Sequence, residues 1–173
     1  MENVTVKQIG LEEIDQLQKI GKRTFIETFA SENTEENMNE YLRNGFSLAK
    51  LKRELSKKES QFYFAEIRNE IIGYLKINTG QTQTEIKDND SLEIERIYVL
   101  KEFHGKGVGQ IIFNKALEIA KLKRVKYIWL GVWEENPRAI RFYEKNGFVS
   151  FDKHFFKLGT DIQTDIMMKL EMR

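Results

Sequence analysis

The chain has 173 residues, of which 40% are hydrophobic and 12% aromatic, and this suits one domain with a substantial hydrophobic core. It contains no cysteine, which excludes disulfides, thiolate metal sites and a cysteine nucleophile, and its two histidines give little support for a metal centre. The 28 basic and 27 acidic residues nearly cancel, whereas nucleic-acid-binding proteins usually show a basic excess.

The first half of the chain predicts two helices followed by a strand hairpin. Residues 4–9 resemble a strand, and apolar residues at helical spacing predict helices over residues 11–29 and 35–55. Residues 61–67 and 71–77 are rich in β-branched and aromatic side chains, so with the short link 68–70 they predict a hairpin. Residues 79–90 are polar and predict a loop, and residues 92–99 predict the next strand.

The second half predicts a helix over residues 108–121, a strand over Tyr127–Trp133 and a further helix that begins at Asn136-Pro137. Asn is a good N-cap, Pro suits the first helical position, and Gly147 is suited to the end of that helix. Residues 148–156 and 164–170 predict two last strands. The order β-α-α-β-β-β-α-β-α-β-β indicates a mixed α/β fold with helices covering a central sheet.

We find no internal repeat and no linker, so we expect residues 1–173 to form a single domain. The N-terminus lacks a signal-peptide pattern, and no apolar run reaches the ~18 to 20 residues of a membrane span. We therefore expect a cytoplasmic protein without a membrane or nucleic-acid partner and without a bound metal.

A glycine-rich turn, His104-Gly105-Lys106-Gly107-Val108-Gly109, lies between a predicted strand and a predicted helix. Glycines at alternate positions let the backbone turn tightly and leave its N–H groups uncovered. At a helix N-terminus these donors and the helix dipole favour an anion such as a phosphate, and Lys106 adds a cation.

Two familiar phosphate motifs do not fit this turn. A Walker loop requires Ser or Thr after Gly-Lys, and Lys106 is followed by Gly107; a dinucleotide fingerprint requires a third glycine where the chain has Gln110. Taken alone, the turn is equally consistent with a glycine-rich connector that binds nothing.

The residues around the turn resemble the GCN5-related N-acetyltransferase (GNAT) superfamily. The match covers about residues 60 to 170, and its core motifs occur in the family's order and spacing: Glu95-Arg96-Ile97-Tyr98-Val99, the glycine turn, Trp129-Leu130-Gly131-Val132, and the run from Asn136-Pro137-Arg138-Ala139 through Phe142-Tyr143 to Gly147-Phe148. One departure is His104, where the family usually has Gln or Arg. The resemblance implies a central, mostly antiparallel sheet, a splayed pair formed by the fourth and fifth strands, and helices on both faces.

The same resemblance implies acetyl-CoA as cosubstrate and assigns the residues that bind it. Its pantetheine arm would pair with the backbone of the strand before the turn, and its pyrophosphate would lie on the turn. The implied cofactor-binding residues are Ile97, Tyr98, Val99, His104, Gly105, Lys106, Gly107, Val108, Gly109, Gln110, Asn136, Ala139 and Tyr143. Asn136 can also be explained as an N-cap alone.

Three residues are implied to be catalytic. Tyr143 matches the family tyrosine that protonates the departing thiolate, and a phenol with a pKa of about 10 can do so; packing in the core is the alternative. An acceptor ammonium must lose a proton before attack, and Glu93 or Glu95, which share one face of their strand, could accept it directly or through water. A solvated or salt-bridged strand face is the alternative for each glutamate. His104 is expected beside the phosphates and His154 in a structural role.

The acceptor is the least determined feature. Ser60-Gln61-Phe62, Ser91 to Tyr98, Ile128 to Glu134 and Gln163-Thr164-Asp165 resemble PaiA-type polyamine acetyltransferases. The resemblance to the superfamily implies that the region between Thr24 and Leu42 forms one wall of the acceptor cleft. Five acids occur there without Lys or Arg (Glu27, Glu32, Glu35, Glu36 and Glu40), so we expect a negative wall that attracts a cationic amine such as spermidine or spermine. A solvated acidic helix face, a peptide or protein acceptor, and a CoA-binding regulator with little catalysis are the alternatives. A homodimer is compatible with the family.

Overall fold

The computed structural model describes residues 3–173. Its strands are β1 (Thr5–Ile9), β2 (Ser60–Ile67), β3 (Glu70–Thr79), β4 (Ser91–Val99), β5 (Tyr127–Trp133), β6 (Val149–Leu158) and β7 (Asp161–Glu171). Its α-helices are α1 (Ile14–Phe29), α2 (Glu35–Gly45), α3 (Leu48–Leu55), α4 (Val108–Leu122) and α5 (Pro137–Lys145). Within this described part of the chain no helix is long and apolar enough to cross a membrane.

All seven strands form one sheet in the order β1-β2-β3-β4-β5-β7-β6. Only β4 and β5 run parallel, and every other neighbouring pair is antiparallel. The parallel ladder is short, joining Ser91–Glu93 to Tyr127–Trp129, although β4 continues to Val99 and β5 to Trp133. The predicted mixed fold with a splayed central pair is confirmed.

Helices cover both faces of this sheet because alternate strand residues point to opposite sides. On one face Tyr63 and Ala65 of β2 pack in the core that contains Ile112 and Ala116 of α4. On the other face Phe62, Phe64 and Tyr74 pack with Leu17 of α1 and Leu51 of α3. The sheet is therefore buried on both sides and holds its central strands rigidly.

The single helix expected over residues 35–55 is wrong, because the chain forms α2 and α3 with a break between them. Ser47 has extended backbone, and its side chain accepts a hydrogen bond of 3.2 Å from the Lys50 amide, which makes it the N-cap of α3. Phe46 at the break is buried beside Phe25 and Phe29 of α1. The break separates α3, which packs against β2, from α2, which packs against β6 near the other edge of the sheet.

The last two strands are longer than expected. β6 ends at Leu158 and β7 begins at Asp161, so residues 157–163, which we left outside the strands, belong almost entirely to a tight hairpin. Gly159 in its turn has φ +64°, a conformation that favours glycine. Asn37 of α2 accepts a hydrogen bond of 3.1 Å from the Thr160 amide, which ties the hairpin to the helix.

Candidate active site

The central feature of the site is a cavity of about 810 Å³ at the place where β4 and β5 separate. The lining residues come from α1, α2, α3, the loop after β3, β4, the glycine turn, the first turn of α4, β5, α5 and the β6–β7 hairpin. Ile97, Tyr98 and Val99 lie along this opening on β4, beyond the last residue that pairs with β5. The edge of β4 is therefore open to the cavity at these three residues.

The glycine turn forms one wall of the cavity. Gly105 and Gly107 have φ values of +75° and +80°, and an added Cβ at either position would meet no atom within 4 Å. Gly107 is the N-cap of α4, and the first turn of that helix contains no acidic residue. The uncovered amides, the open space and the helix dipole together suit an anion.

Arg138 at the start of α5 faces this turn across the cavity mouth, and it was not among the predicted site residues. Its Nη1 contacts Nδ1 of His104, while Nε2 of His104 lies 2.7 Å from the Val99 carbonyl oxygen. Because a guanidinium can only donate, Nδ1 accepts and Nε2 carries the proton that is donated to Val99. Burial and the Arg138 charge lower the pKa of His104, although its bond to Val99 opposes this. The sequence did contain a signal for Arg138, because it is a basic residue two positions after Asn136, the predicted N-cap of α5.

The other predicted cofactor residues lie close by, with one exception. Asn136 Oδ1 accepts a hydrogen bond of 3.2 Å from the Ala139 amide, so Asn136 caps α5, and both residues line the cavity. Gln110 lines it as well and donates a hydrogen bond of 3.0 Å to Asn146 Oδ1, which links α4 to α5. Lys106 does not line the cavity, and its Nζ lies 5.4 Å from the centre of the Phe103 ring.

Tyr143 lies on the inner face of α5 and lines the cavity with 7% of its surface exposed. Its ring packs at 5.5 Å from Phe142 and 5.6 Å from Phe148. Burial raises the pKa of the phenol above its ordinary value, so the hydroxyl keeps its proton near neutrality. Tyr143 can therefore pack in the core and still act as a proton donor, so the two alternatives given for it are compatible.

Glu93 and Glu95 both line the cavity on β4, in different surroundings. The pairing of Lys76 with Arg96 and of Ile77 with Ile94 leaves Glu95 as an extra residue, a β-bulge. The bulge changes the alternation of the strand, and both glutamates approach Nδ2 of Asn78 on the neighbouring strand.

Glu93 is 3% exposed and is held by neutral donors. Its Oε1 accepts hydrogen bonds of 2.9 Å from Asn78 Nδ2 and from the Thr84 amide, and its Oε2 accepts one from the Thr84 hydroxyl. Burial raises the pKa of this carboxyl, although the hydrogen bonds partly offset the effect. Three of about four lone-pair positions are therefore occupied, and Glu93 anchors the loop after β3 to the sheet.

Glu95 is held by charge. Its Oε2 contacts the ammonium of Lys76, which also lies 3.2 Å from Glu54 Oε2. Burial acts to raise the pKa of Glu95, but the Arg96 and Lys76 charges outweigh it and lower the pKa. With 20% of its side chain exposed, Glu95 presents an ionised carboxylate to the cavity.

A second cluster of titratable groups lies where the β6–β7 hairpin and the loop after β3 line the cavity. His154 Nδ1 is 3.2 Å from Glu85 Oε1, and Nε2 is 3.3 Å from Asp165 Oδ2. Burial raises the pKa of Asp165 to about 6, although the interaction with His154 opposes the rise. His154, which we expected to be structural, lines the cavity beside these two carboxylates. Gly131 of β5 leaves room for them, because an added Cβ would lie 3.1 Å from Asp165 Oδ2.

The predicted acidic wall is wrong in its location. None of Glu27, Glu32, Glu35, Glu36 and Glu40 lines the cavity, and all but Glu27 are exposed. The helices present aromatic residues to the cavity instead: Phe25 stacks on Tyr41 at 4.4 Å, and Phe29 lies 4.9 Å from Trp133. Helical periodicity puts apolar residues inward and these acids outward. The acids of the cavity are Glu85, Glu93, Glu95 and Asp165.

Comparison with known proteins decides the family. A model of the acetyltransferase (GNAT) family matches residues 14–148, which is most of the chain. The chain belongs to the GNAT family. This GNAT protein is therefore an acetyl-CoA-dependent N-acetyltransferase, as the motifs around the turn predicted.

Individual relatives agree with this family and leave the acceptor open. An uncharacterised N-acetyltransferase in the pepI 3′ region of Lactobacillus delbrueckii subsp. lactis is 37% identical over 169 residues, covering 98% of each chain. A spermidine N(1)-acetyltransferase of Thermoplasma acidophilum is 23% identical over 150 residues, 84% of this chain and 88% of the relative. The crystal structure of the PaiA N-acetyltransferase from T. acidophilum in complex with coenzyme A superposes with a TM-score of 0.81. It covers 98% of this chain and 99% of its own at 21% identity, and so supports the fold alone.

Proposed function

We propose that this GNAT enzyme transfers the acetyl group of acetyl-CoA directly to a primary amine of a cationic acceptor, most suitably a polyamine such as spermidine or spermine. The observation that carries the proposal is the continuity of one cavity from the glycine turn to Glu85, Glu93, Glu95 and Asp165. An activated acyl donor and a cationic amine can meet in such a cavity without a covalent enzyme intermediate.

The cosubstrate site fits this chain. The edge of β4 at Ile97, Tyr98 and Val99 is open, the glycine turn has space where side chains would stand, and Arg138 adds a cation at the mouth. Acetyl-CoA supplies a thioester whose carbonyl carbon is open to attack. The turn amides and Arg138 would hold its pyrophosphate, and the backbone of β4 would orient its pantetheine arm.

The transfer needs one proton acceptor and one proton donor. In our proposal Glu95, ionised and open to the cavity, draws the acceptor ammonium and takes its proton directly or through water, while Glu93 holds the surrounding loop. The amine nitrogen forms a bond to the acetyl carbon, the carbon–sulfur bond breaks, and Tyr143 donates a proton to the departing sulfur. The second proton, which the nitrogen loses on becoming an amide, restores the Tyr143 hydroxyl. A buried phenol with a raised pKa is protonated and ready for this step.

Charge supports a polyamine over a neutral or anionic acceptor. Among residues 3–173, Glu85 and Asp165 form ion pairs only with His154, so a second ammonium on the acceptor has carboxylates to approach. The aromatic side chains Phe29 and Trp133, which line the same cavity, suit the methylene chain that separates the amines. The distant similarity to a spermidine N(1)-acetyltransferase is in accord with this proposal.

The test is thiol release from acetyl-CoA with spermidine, spermine, 1,4-diaminobutane, butylamine and a peptide panel, with the products identified by mass spectrometry. We expect higher kcat/KM for the polyamines than for butylamine, and Glu85→Gln should reduce this ratio while acetyl-CoA binding is unchanged. Preferred turnover of peptides would refute the polyamine part. Tight acetyl-CoA binding without turnover of any amine, unaltered in Tyr143→Phe, would refute the enzymatic roles and favour a regulator.

A further inference from the structure

The two glutamates of the site share one buried hydrogen-bond donor. Asn78 has no exposed surface, and its Nδ2 donates to Glu93 Oε1 at 2.9 Å and to Glu95 Oε2 at 3.4 Å. An amide nitrogen has two hydrogens, one for each carboxylate. Two carboxylates this close repel each other unless donors lie between them, so Asn78 makes their side-by-side arrangement possible.

The orientation of that amide is fixed from behind. Ser60, at the start of β2 and 7% exposed, donates its hydroxyl hydrogen to Asn78 Oδ1 at 2.8 Å. A rotated amide would turn Oδ1 toward both carboxylates and lose both donated bonds. Hydrogen bonds therefore run in one direction, from Ser60 to Asn78 and from Asn78 to Glu93 and Glu95. All four residues belong to strands of the sheet.

Charged and titratable groups meet Glu95 from each element packed around it. Lys76 on β3 contacts it, Glu54 on α3 contacts Lys76, and Arg96 follows it on β4. Tyr41 on α2 and Tyr74 on β3 lie within electrostatic range of the same carboxylate. Arg96 and Lys76 supply the compensating charge, but the Lys76 contact at Oε2 does not by itself determine the rotation of the carboxylate; the second contact, from Asn78, does.

We propose that Ser60 and Asn78 are positioning residues of the acetyl-transfer site, which hold Glu93 and Glu95 in one relative orientation so that Glu95 directs its other oxygen into the cavity. This rests on the proposed function in one respect, the meeting of Glu95 with the acceptor amine. Neither Ser60 nor Asn78 lines the cavity, so both act through the glutamates.

The experiment compares Ser60→Ala with Ser60→Thr, which keeps the hydroxyl, and with Asn78→Ala. Thr24→Val is the matched control, because Thr24 is 1% exposed, bonds only to the backbone of its own helix and does not line the cavity. The first readout is the titration of the ¹³C-labelled glutamate carboxyls by NMR, which needs no turnover. The second is kcat and KM with the acceptor found in the amine panel.

We expect Ser60→Ala and Asn78→Ala to move the Glu95 titration to higher pH and to lower kcat roughly 10- to 100-fold, with the KM for acetyl-CoA unchanged, as for a misplaced catalytic group. Ser60→Thr and Thr24→Val should retain the wild-type titration and kcat. Equal titrations in Ser60→Ala, Ser60→Thr and wild type, with only thermal stability altered, would overturn the proposal. If wild type transfers acetyl to no amine, the proposed function fails, and the titrations still decide the positioning.

Discussion

Replacing Gly109, the second residue of α4, with alanine adds one methyl group and should change thermal stability and acetyl-CoA binding in opposite directions. An added Cβ would meet only Phe142 Cε2, at 4.0 Å, and the backbone there is ordinary helix. Alanine in place of glycine within a helix stabilises by roughly 0.5–1 kcal/mol. For a chain of this length that corresponds to a rise in Tm of about 1–4 °C.

Gly109 also lines the cavity beside the turn amides that we assign to the pyrophosphate, so we expect the same methyl group to hinder one of these hydrogen bonds. Loss of one hydrogen bond to a charged group costs about 1.5–3 kcal/mol, which is roughly a 10- to 150-fold weaker affinity. Gly109→Ala should therefore melt at a higher temperature than wild type and bind acetyl-CoA more weakly, as measured by thermal unfolding and titration calorimetry. Gly10→Ala is the control, because Gly10 has φ −134° and open space around it, far from the cavity. A more stable variant with wild-type affinity would refute the placement of the anion on this turn.

Three further predictions concern the other groups of the site. Tyr143→Phe should lower kcat about 100-fold or more with an unchanged Tm, because no described residue hydrogen-bonds to its hydroxyl; a lowered Tm together with full activity would contradict this. Arg138→Ala should weaken acetyl-CoA binding and raise the pKa of His104, since the guanidinium charge helps to lower it, and imidazole NMR titration would show the change. The pKa of Asp165 is raised from 3.8 to about 6, so the folded state binds this proton more tightly than the unfolded state does. The resulting stabilisation is complete below about pH 4 and is lost as the pH rises to 6. Asp165→Asn should consequently stabilise the protein by on the order of 2 kcal/mol at pH 8 and by much less at pH 4, as measured by urea unfolding; an equal effect at both pH values would count against the shift.

The sequence predicted the order of the elements because each signal is local. Alternation of apolar residues identifies strands, a 3.6-residue spacing identifies helices, and caps such as Asn136 mark helix ends. The merged helix over residues 35–55 failed for a reason of the same kind. Leu48 and Leu51 continue the helical spacing of Met38 and Leu42 closely enough to hide a break at Phe46 and a new N-cap at Ser47.

The glycine turn and its neighbouring motifs were determined by the sequence alone, since positive φ values and free amides depend on glycine at fixed positions. The sequence alone did not determine which acidic residues line the part of the cavity that we propose for the acceptor. Glu85 and Asp165 are 80 residues apart in the chain and meet only because the loop after β3 and strand β7 approach the same gap in the sheet. The acidic run in the helices was one candidate for a wall of the acceptor site, but none of its five glutamates lines the cavity. The sequence shows how many carboxylates a segment carries. Which of those carboxylates line the cavity depends on how the apolar faces of the helices and strands pack in the tertiary structure.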